Sequence, residues 1–333
     1  MKRWTAIALG LLLLAPGAAG AEVSEVRITR GAGGMGFLPL LVMERHELIE
    51  KYAAEAGLTV KARWLDLGGP AVVNDALLSG NADIVPAGPP AFITMWAKTQ
   101  GQIGVKGMAA MSSIPMYLNT RSPELRSLRD LGEQDRIAVT AVKVSIPAII
   151  LQMLALKEYG PTDYARFDRY TVSLTHPDGV VALLTGRTEI TAHFTSPPFH
   201  QRERKDQRIR TMMTSDQVMG GPSTFTMLYT VSRFRDANPK VYGAVLKALQ
   251  GAIERIAADR REAAHIFLGT SDGKGWSVDE IVAVLEDPDI RFTTAPENVL
   301  RYAEFMAAVG SIKTRPGDWR EMFFPEIHGA TGS

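Results

Sequence analysis

The stretches LLSGNADIV (residues 77–85) and LLTGRTEIT (residues 183–191) share one grammar. Each has two leucines, a small hydroxyl residue and glycine, then an acid three residues on, followed by isoleucine. Each is soon followed by a proline pair, Pro89-Pro90 or Pro197-Pro198. Both read as a helix that stops on a glycine, Gly80 or Gly186, which takes positive φ without a steric penalty; the chain then enters a strand. Asp83 and Glu189 read as the polar entrance to that strand. The same turn built twice predicts two copies of an α/β unit.

Working outward, EVRITR (residues 25–30) alternates Val26 and Ile28 with charged residues and reads as a strand. A glycine loop over residues 31–37 leads to a helix over 39–56. TVKARWLDL (59–67) is a second strand, a helix over 70–79 carries proline in its first turn, and ADIVPAG (82–88) is a third strand. Such a βαβαβ unit builds a parallel sheet with right-handed crossovers. The pattern restarts with a strand at 136–142 and a helix at 145–160, with Ser145 as N-cap, Pro147 in the first turn and Gly160-Pro161 at the end. A strand at 169–175, a helix at 177–186 and a strand at 189–194 complete the second copy.

The last third is helical. Asn238-Pro239 opens a helix whose Val241, Val245, Leu249, Ile253 and Ile256 share one face, and Ser277-x-x-Glu280 is a capping box. A final helix is predicted over 296–309. Residues 107–121 and 213–233 are extended and apolar, border the middle unit, and read as two strands crossing between lobes. The expected division is lobe 1 over 22–113 and 219–333, and lobe 2 over 114–218.

Lys2 and Arg3, an apolar run over 6–15 and Ala19-Gly20-Ala21 form a secretory signal peptide, residues 1–21. The run is shorter than the roughly 20 residues a bilayer requires. The formal charge of +1 gives no reason to expect nucleic acid or an anionic membrane surface as partner. With no cysteine in the chain, disulfides, thiolate nucleophiles and thiolate metal sites are excluded. No serine sits in a G-x-S-x-G elbow, neither H-E-x-x-H nor a P-loop is present, and Gly34-Met35-Gly36 lacks a third glycine at dinucleotide spacing. His193 and His200 lack a third patterned metal ligand. The chain therefore reads as a non-enzyme with no cofactor and no metal.

In open α/β sheets, ligands bind beyond the carboxyl ends of the strands. Here those ends are residues 33–37, 68–69, 87–91, 143–146, 176–179 and 195–199, rich in Gly, Pro and Ser. Such loops offer bare backbone N–H groups backed by helix dipoles, suited to a small anionic or zwitterionic solute. On this reading Gly69, Pro89, Met35, Gly36, Ile146, Thr195 and Pro197 are candidate binding residues. Lys143 is either a partner for a ligand carboxylate or sulfonate, or a solvated lysine. His193 is a cleft or packed histidine, and Phe37 and Phe194 are candidates to stack on a ring. RERKD (202–206) is a solvated helix face or a docking surface.

The chain resembles periplasmic solute-binding proteins of ABC importers, in the sulfonate, taurine and nitrate branch that includes thiamin-precursor binders. The resemblance rests on GFLPLLVMERHELIEKYAAEAGL, LLSGNADIVPAG, SLRDLGEQDRIAVTAVKVS and LLTGRTEI with its SPPF. It also rests on NPKVYGAVLKALQGAIERI and the tail YAEFMAAVGSIKTRPGDWREMFFPEI. It implies an α/β, two-lobed, type II periplasmic-binding-protein clamshell. Each lobe is a mixed sheet flanked by helices, and two crossing strands join them. It also implies ligand contacts at Phe37, Gly88, Lys143 and Ser145. The function implied is that of a periplasmic, Gram-negative-type, monomeric receptor delivering its solute to an ABC permease with its ATPase. A periplasmic sensor acting on a partner protein is the alternative. Two departures stand out. Glu47 occupies a position where the family favours glycine, so a continuous helix over 39–56 is expected. The aromatic segment His193, Phe194 and Phe199 points toward an aromatic or heterocyclic acid as much as toward taurine.

Overall fold

The computed structural model describes residues 21–333 except 32 and 68. The signal-peptide reading therefore falls almost wholly outside the described residues. In the first sheet β1 (Glu25–Thr29) lies between β2 (Lys61–Leu65) and β3 (Ile84–Ala87), all parallel. β10 (Thr224–Val231) and β4 (Val105–Ser113) complete the order β2-β1-β3-β10-β4, with β10 antiparallel to both neighbours. The second sheet repeats the plan as β7-β6-β8-β5-β9. There β6 (Arg136–Val139) is parallel to β7 (Thr171–Ser173) and β8 (Ile190–Thr195), and β5 (Tyr117–Thr120) is antiparallel to β8 and β9 (Arg210–Thr214).

The repeated stretches occupy the same place in each sheet. α3 (Pro70–Leu78) and α6 (His176–Thr185) end at Gly80 (φ 72°) and Gly186 (φ 59°), and β3 and β8 follow. Asp83 pins the strand entrance to β1, accepting from the backbone N–H of Arg27 at 2.7 Å and from its guanidinium at 2.6 and 3.0 Å. Glu189 makes only a longer, largely exposed ion pair, 3.8 Å from Arg136 on β6.

The fourth strand of each sheet arrives from the other lobe, so the chain crosses twice. Neither crossing is one continuous strand. The first breaks between β4 and β5, and the second folds into α8 (Ser215–Met219), ended by Gly220 at φ 72°. Gln217 reaches back to accept from the Thr214 N–H at 2.9 Å, so a Thr-x-x-Gln cap was the sequence signal for this helix. The helix expected over 39–56 is also two: α1 (Leu38–Arg45) and α2 (Leu48–Glu55), separated by Glu47 in the left-handed region (φ 47°, ψ 43°). Left-handed backbone at a non-glycine costs roughly 1–2 kcal/mol. It redirects the chain so that Leu48, Ile49 and Ala53 are buried, which outweighs that cost.

α4 (Pro89–Thr99), a helix not among those expected from sequence, starts on the first proline pair and buries Phe92, Ile93 and Trp96. α5 (Ile146–Tyr159) and α7 (Phe199–Arg204) flank the second sheet. The remaining helices are α9 (Ser232–Ala237), α10 (Pro239–Ala258), α11 (Arg260–Leu268), α12 (Val278–Leu285) and α13 (Val299–Ala308). Among the described residues no helix is long and apolar enough to cross a membrane.

Candidate functional site: the cleft between the two sheets

Loops at the carboxyl ends of the parallel strands converge from both lobes on a cleft of about 600 Å³. All six loop clusters expected from sequence contribute to it, and Phe37, Gly69, Gly88, Ser145 and Ile146 line it. Gly88 is needed for space: a Cβ there would come within 2.6 Å of Ile146 Cδ1 across the cleft.

The other expected residues lie elsewhere. Met35 is wholly buried, and Gly36 lies under the Phe225 ring, where a Cβ would be 2.4 Å from a ring carbon. Pro89 is buried in α4 while Gly88 and Pro90 face the cleft. Lys143 is exposed in a left-handed turn (φ 68°) and does not line the cleft; Val144, 66% exposed, takes that place. His193, Phe194 and Thr195 have no exposed surface, and Pro197 is buried. They sit on or just beyond β8, an inner strand, and inner strands of such sheets are covered on both faces. Only the chain beyond the strand end, at Ser196 and Phe199, reaches the cleft.

Sequence reasoning missed Arg30, Asp66, Phe225 and the loop from Thr270 to Asp272. Arg30 and Asp66 follow directly on β1 and β2, the position the strand-end rule points to. The loop after α11 belongs to no βα unit, so only its Thr-Ser-Asp-Gly composition marked it.

The two walls differ electrostatically. On lobe 1, Arg30 is held by two carboxylates, Glu44 at 2.5 Å and Asp66 at 2.9 Å, which also raise its pKa well above the usual range. Asp272 Oδ2 accepts from the Gly34 N–H at 2.7 Å, and among the described residues it has no cationic partner. Gly31, Gly33 and Gly36 do in fact satisfy G-x-G-x-x-G, in a register the sequence reading passed over. A Cβ on Gly33 would lie 2.4 Å from Asp272 Oδ2, so the protein's own carboxylate already occupies this loop. A dinucleotide phosphate has no place there.

Lobe 2 supplies donors. α5 begins at the cleft, and the N–H of Ile146, which lines it, finds no backbone acceptor among the described residues. The Ser145 hydroxyl donates to Ala141 O at 2.6 Å, so its proton is not free for a solute. The expected supply of bare N–H groups is smaller than the loops suggested, because α4 opens with two prolines and α5 and α6 each carry one in the first turn. His176 lines the cleft with its ring stacked on Phe199 (centroids 5.4 Å, 27°). Burial of most of the ring, and then His193, pull its pKa down to about 3, so it is neutral at physiological pH.

The charged segment 202–206 has a definite role in this arrangement. Arg202 of α7 and Lys205 just after it lie over the Trp276 ring of lobe 1 at 4.4 and 5.0 Å. Arg202 also donates to Lys274 O at 3.0 Å, and Lys205 pairs with Glu280. This clasp bridges the lobes close to the Thr270–Asp272 side of the cleft.

No protein-family model matches the sequence, and no curated protein matches it. Solved structures do. The alkanesulfonate-binding protein SsuA from Xanthomonas axonopodis pv. citri, bound to MOPS, aligns at a TM-score of 0.66 and 16% identity, covering 89% of this chain and 96% of that one. The periplasmic aliphatic sulphonate-binding protein SsuA from Escherichia coli aligns at 0.65 and 15%, covering 91% and 92%. The periplasmic nitrate-binding protein NrtA from Synechocystis PCC 6803 aligns at 0.59 and 16%, covering 80% and 70%. These likenesses are of fold, and they fall in the sulfonate and nitrate branch that the sequence resembles. The chain has the fold of the periplasmic binding proteins, two α/β lobes facing one another across a solute-sized cleft.

Proposed function

We propose that the protein is the solute receptor of an ABC importer, a periplasmic, non-catalytic protein that captures a small organic solute between its lobes and delivers it to the permease. The cleft of about 600 Å³, walled by strand-end loops of both sheets, carries this reading. That size is typical of small-molecule sites, which run from about 300 to 1,000 Å³, and far exceeds what a bare inorganic anion fills. The lobe 1 wall carries Asp66, Asp272 and an Arg30 already paired with carboxylates, the lobe 2 wall carries the Ile146 N–H and the His176 ring, and Phe37, Phe225 and Phe199 add aromatic surface. This favours a zwitterionic or heterocyclic acid whose accepting end meets lobe 2 and whose donating end meets Asp272 or Asp66.

The test is thermal denaturation and calorimetry of the purified protein with alkanesulfonates, taurine, nitrate, aromatic carboxylates and aminopyrimidine acids. A true ligand at 100 times its dissociation constant adds about 2.7 kcal/mol of stability. A ring-bearing acid with an amino group should give the largest shift and nitrate none. If no compound shifts the transition, the receptor reading fails.

A further inference from the structure

Behind the cleft wall of lobe 2 lies a buried chain of polar side chains. His193 on β8 and Glu203 on α7 are both fully buried, with Nδ1 of the imidazole 2.5 Å from Glu203 Oε1. The second carboxylate oxygen accepts from Asn119 Nδ2 at 2.7 Å. On its other side His193 Nε2 lies 3.3 Å from Nδ1 of His176, and the Thr195 hydroxyl is 3.3 Å from that same Nδ1. Gly179 of α6 leaves room for the His193 ring: a Cβ there would lie 2.5 Å from Cε1 and Nε2. His176 Nε2 has no protein partner among the described residues, and the residue lines the cleft.

We propose that Glu203 and His193 act as positioning residues that fix His176 in the tautomer with its proton on Nε2. The cleft then presents an N–H donor at this point and selects a solute with a hydrogen-bond acceptor there. The inference rests on the cleft being the solute site.

An ionised carboxylate buried without a countercharge is costly, and among the described residues His193 is the one cation-forming group paired with Glu203. The pair as a unit therefore carries no net charge, as imidazolium with carboxylate or as imidazole accepting from a carboxylic acid, and in both forms Nε2 of His193 carries a proton, which it donates to His176 Nδ1. A neutral His176 that accepts at Nδ1 carries its single proton on Nε2, toward the cleft. Stacking on Phe199 holds the plane of that ring. A His193 protonated on Nδ1 alone would still donate to Glu203 but would accept at Nε2 from His176 Nδ1–H, leaving a lone pair at the cleft, which would select a donor instead. One buried proton thus sets the polarity of the subsite.

Long-range ¹⁵N–¹H correlation of the imidazole side chains in the ligand-free full-length protein at neutral pH reads this directly. A proton on Nε2 is expected on both His193 and His176. His193→Phe removes the donor to His176 Nδ1 and should leave the His176 proton divided between its two nitrogens. A wild-type His176 protonated at Nδ1, or a His176 tautomer unchanged in a folded His193→Phe variant, overturns the proposal. If that variant does not fold, the wild-type spectrum alone decides. No ligand enters the measurement, so its outcome is independent of the solute panel.

Discussion

Ser145 shows how a residue can stand at a site and still be occupied. Its hydroxyl donates to Ala141 O and closes the turn before α5. Ser145→Ala is therefore expected to cost about 1 kcal/mol of folding stability and to change solute affinity by less than tenfold, as read by denaturant titration and calorimetry. The histidines make a second prediction at this scale. Burial depresses His176 to about 3 and, with help from Arg204, His200 to about 4, against an ordinary 6.5. Between those values the unfolded chain binds protons that the native state refuses, so stability rises with pH across this window. It should be fully present above about 6.5 and fall as pH drops toward 4. A thermal-denaturation series should show that decline, and His200→Asn should flatten it.

At the scale of elements, glycine and proline punctuation sets where helices start and stop. Gly80 and Gly186 end their helices as the repeated stretches required. The proline pair at 89–90 opens α4, whose Phe92, Ile93, Met95 and Trp96 share one buried face at helical spacing. Glu47 taught the converse: propensity favours a continuous helix, but burying Leu48 and Ile49 demands a left-handed residue between α1 and α2. Glu47→Gly should therefore raise stability by up to about 1 kcal/mol, seen as a higher denaturant midpoint at unchanged slope. A loss of stability would mean that the side chain contributes more than the backbone strain removes.

At the scale of the molecule, the lobes are joined by two crossings and by the clasp of α7 on Trp276. Cation–π contacts at exposed sites are worth about 0.5–1 kcal/mol each, and an exposed ion pair about as much at most. The double variant Arg202→Ala/Lys205→Ala is expected to weaken binding of any cleft solute roughly tenfold, equivalent to about 1.4 kcal/mol. It should also enlarge the radius of gyration in small-angle scattering. Unchanged affinity and radius would show that the clasp does not contribute to holding the lobes together.

The sequence alone determined the duplicated α/β plan, the two crossings and the six loops that meet at the cleft. These depend on apolar period and on Gly and Pro positions, signals confined to one turn or one strand. Which side chains within those loops face the cleft was decided only by tertiary structure. A strand-end residue such as Phe194 is covered or open according to which helix packs over it, and Asp272 reaches Gly34 from 238 residues away. Contacts of that separation leave no local pattern, so they exist only once the chain has closed on itself.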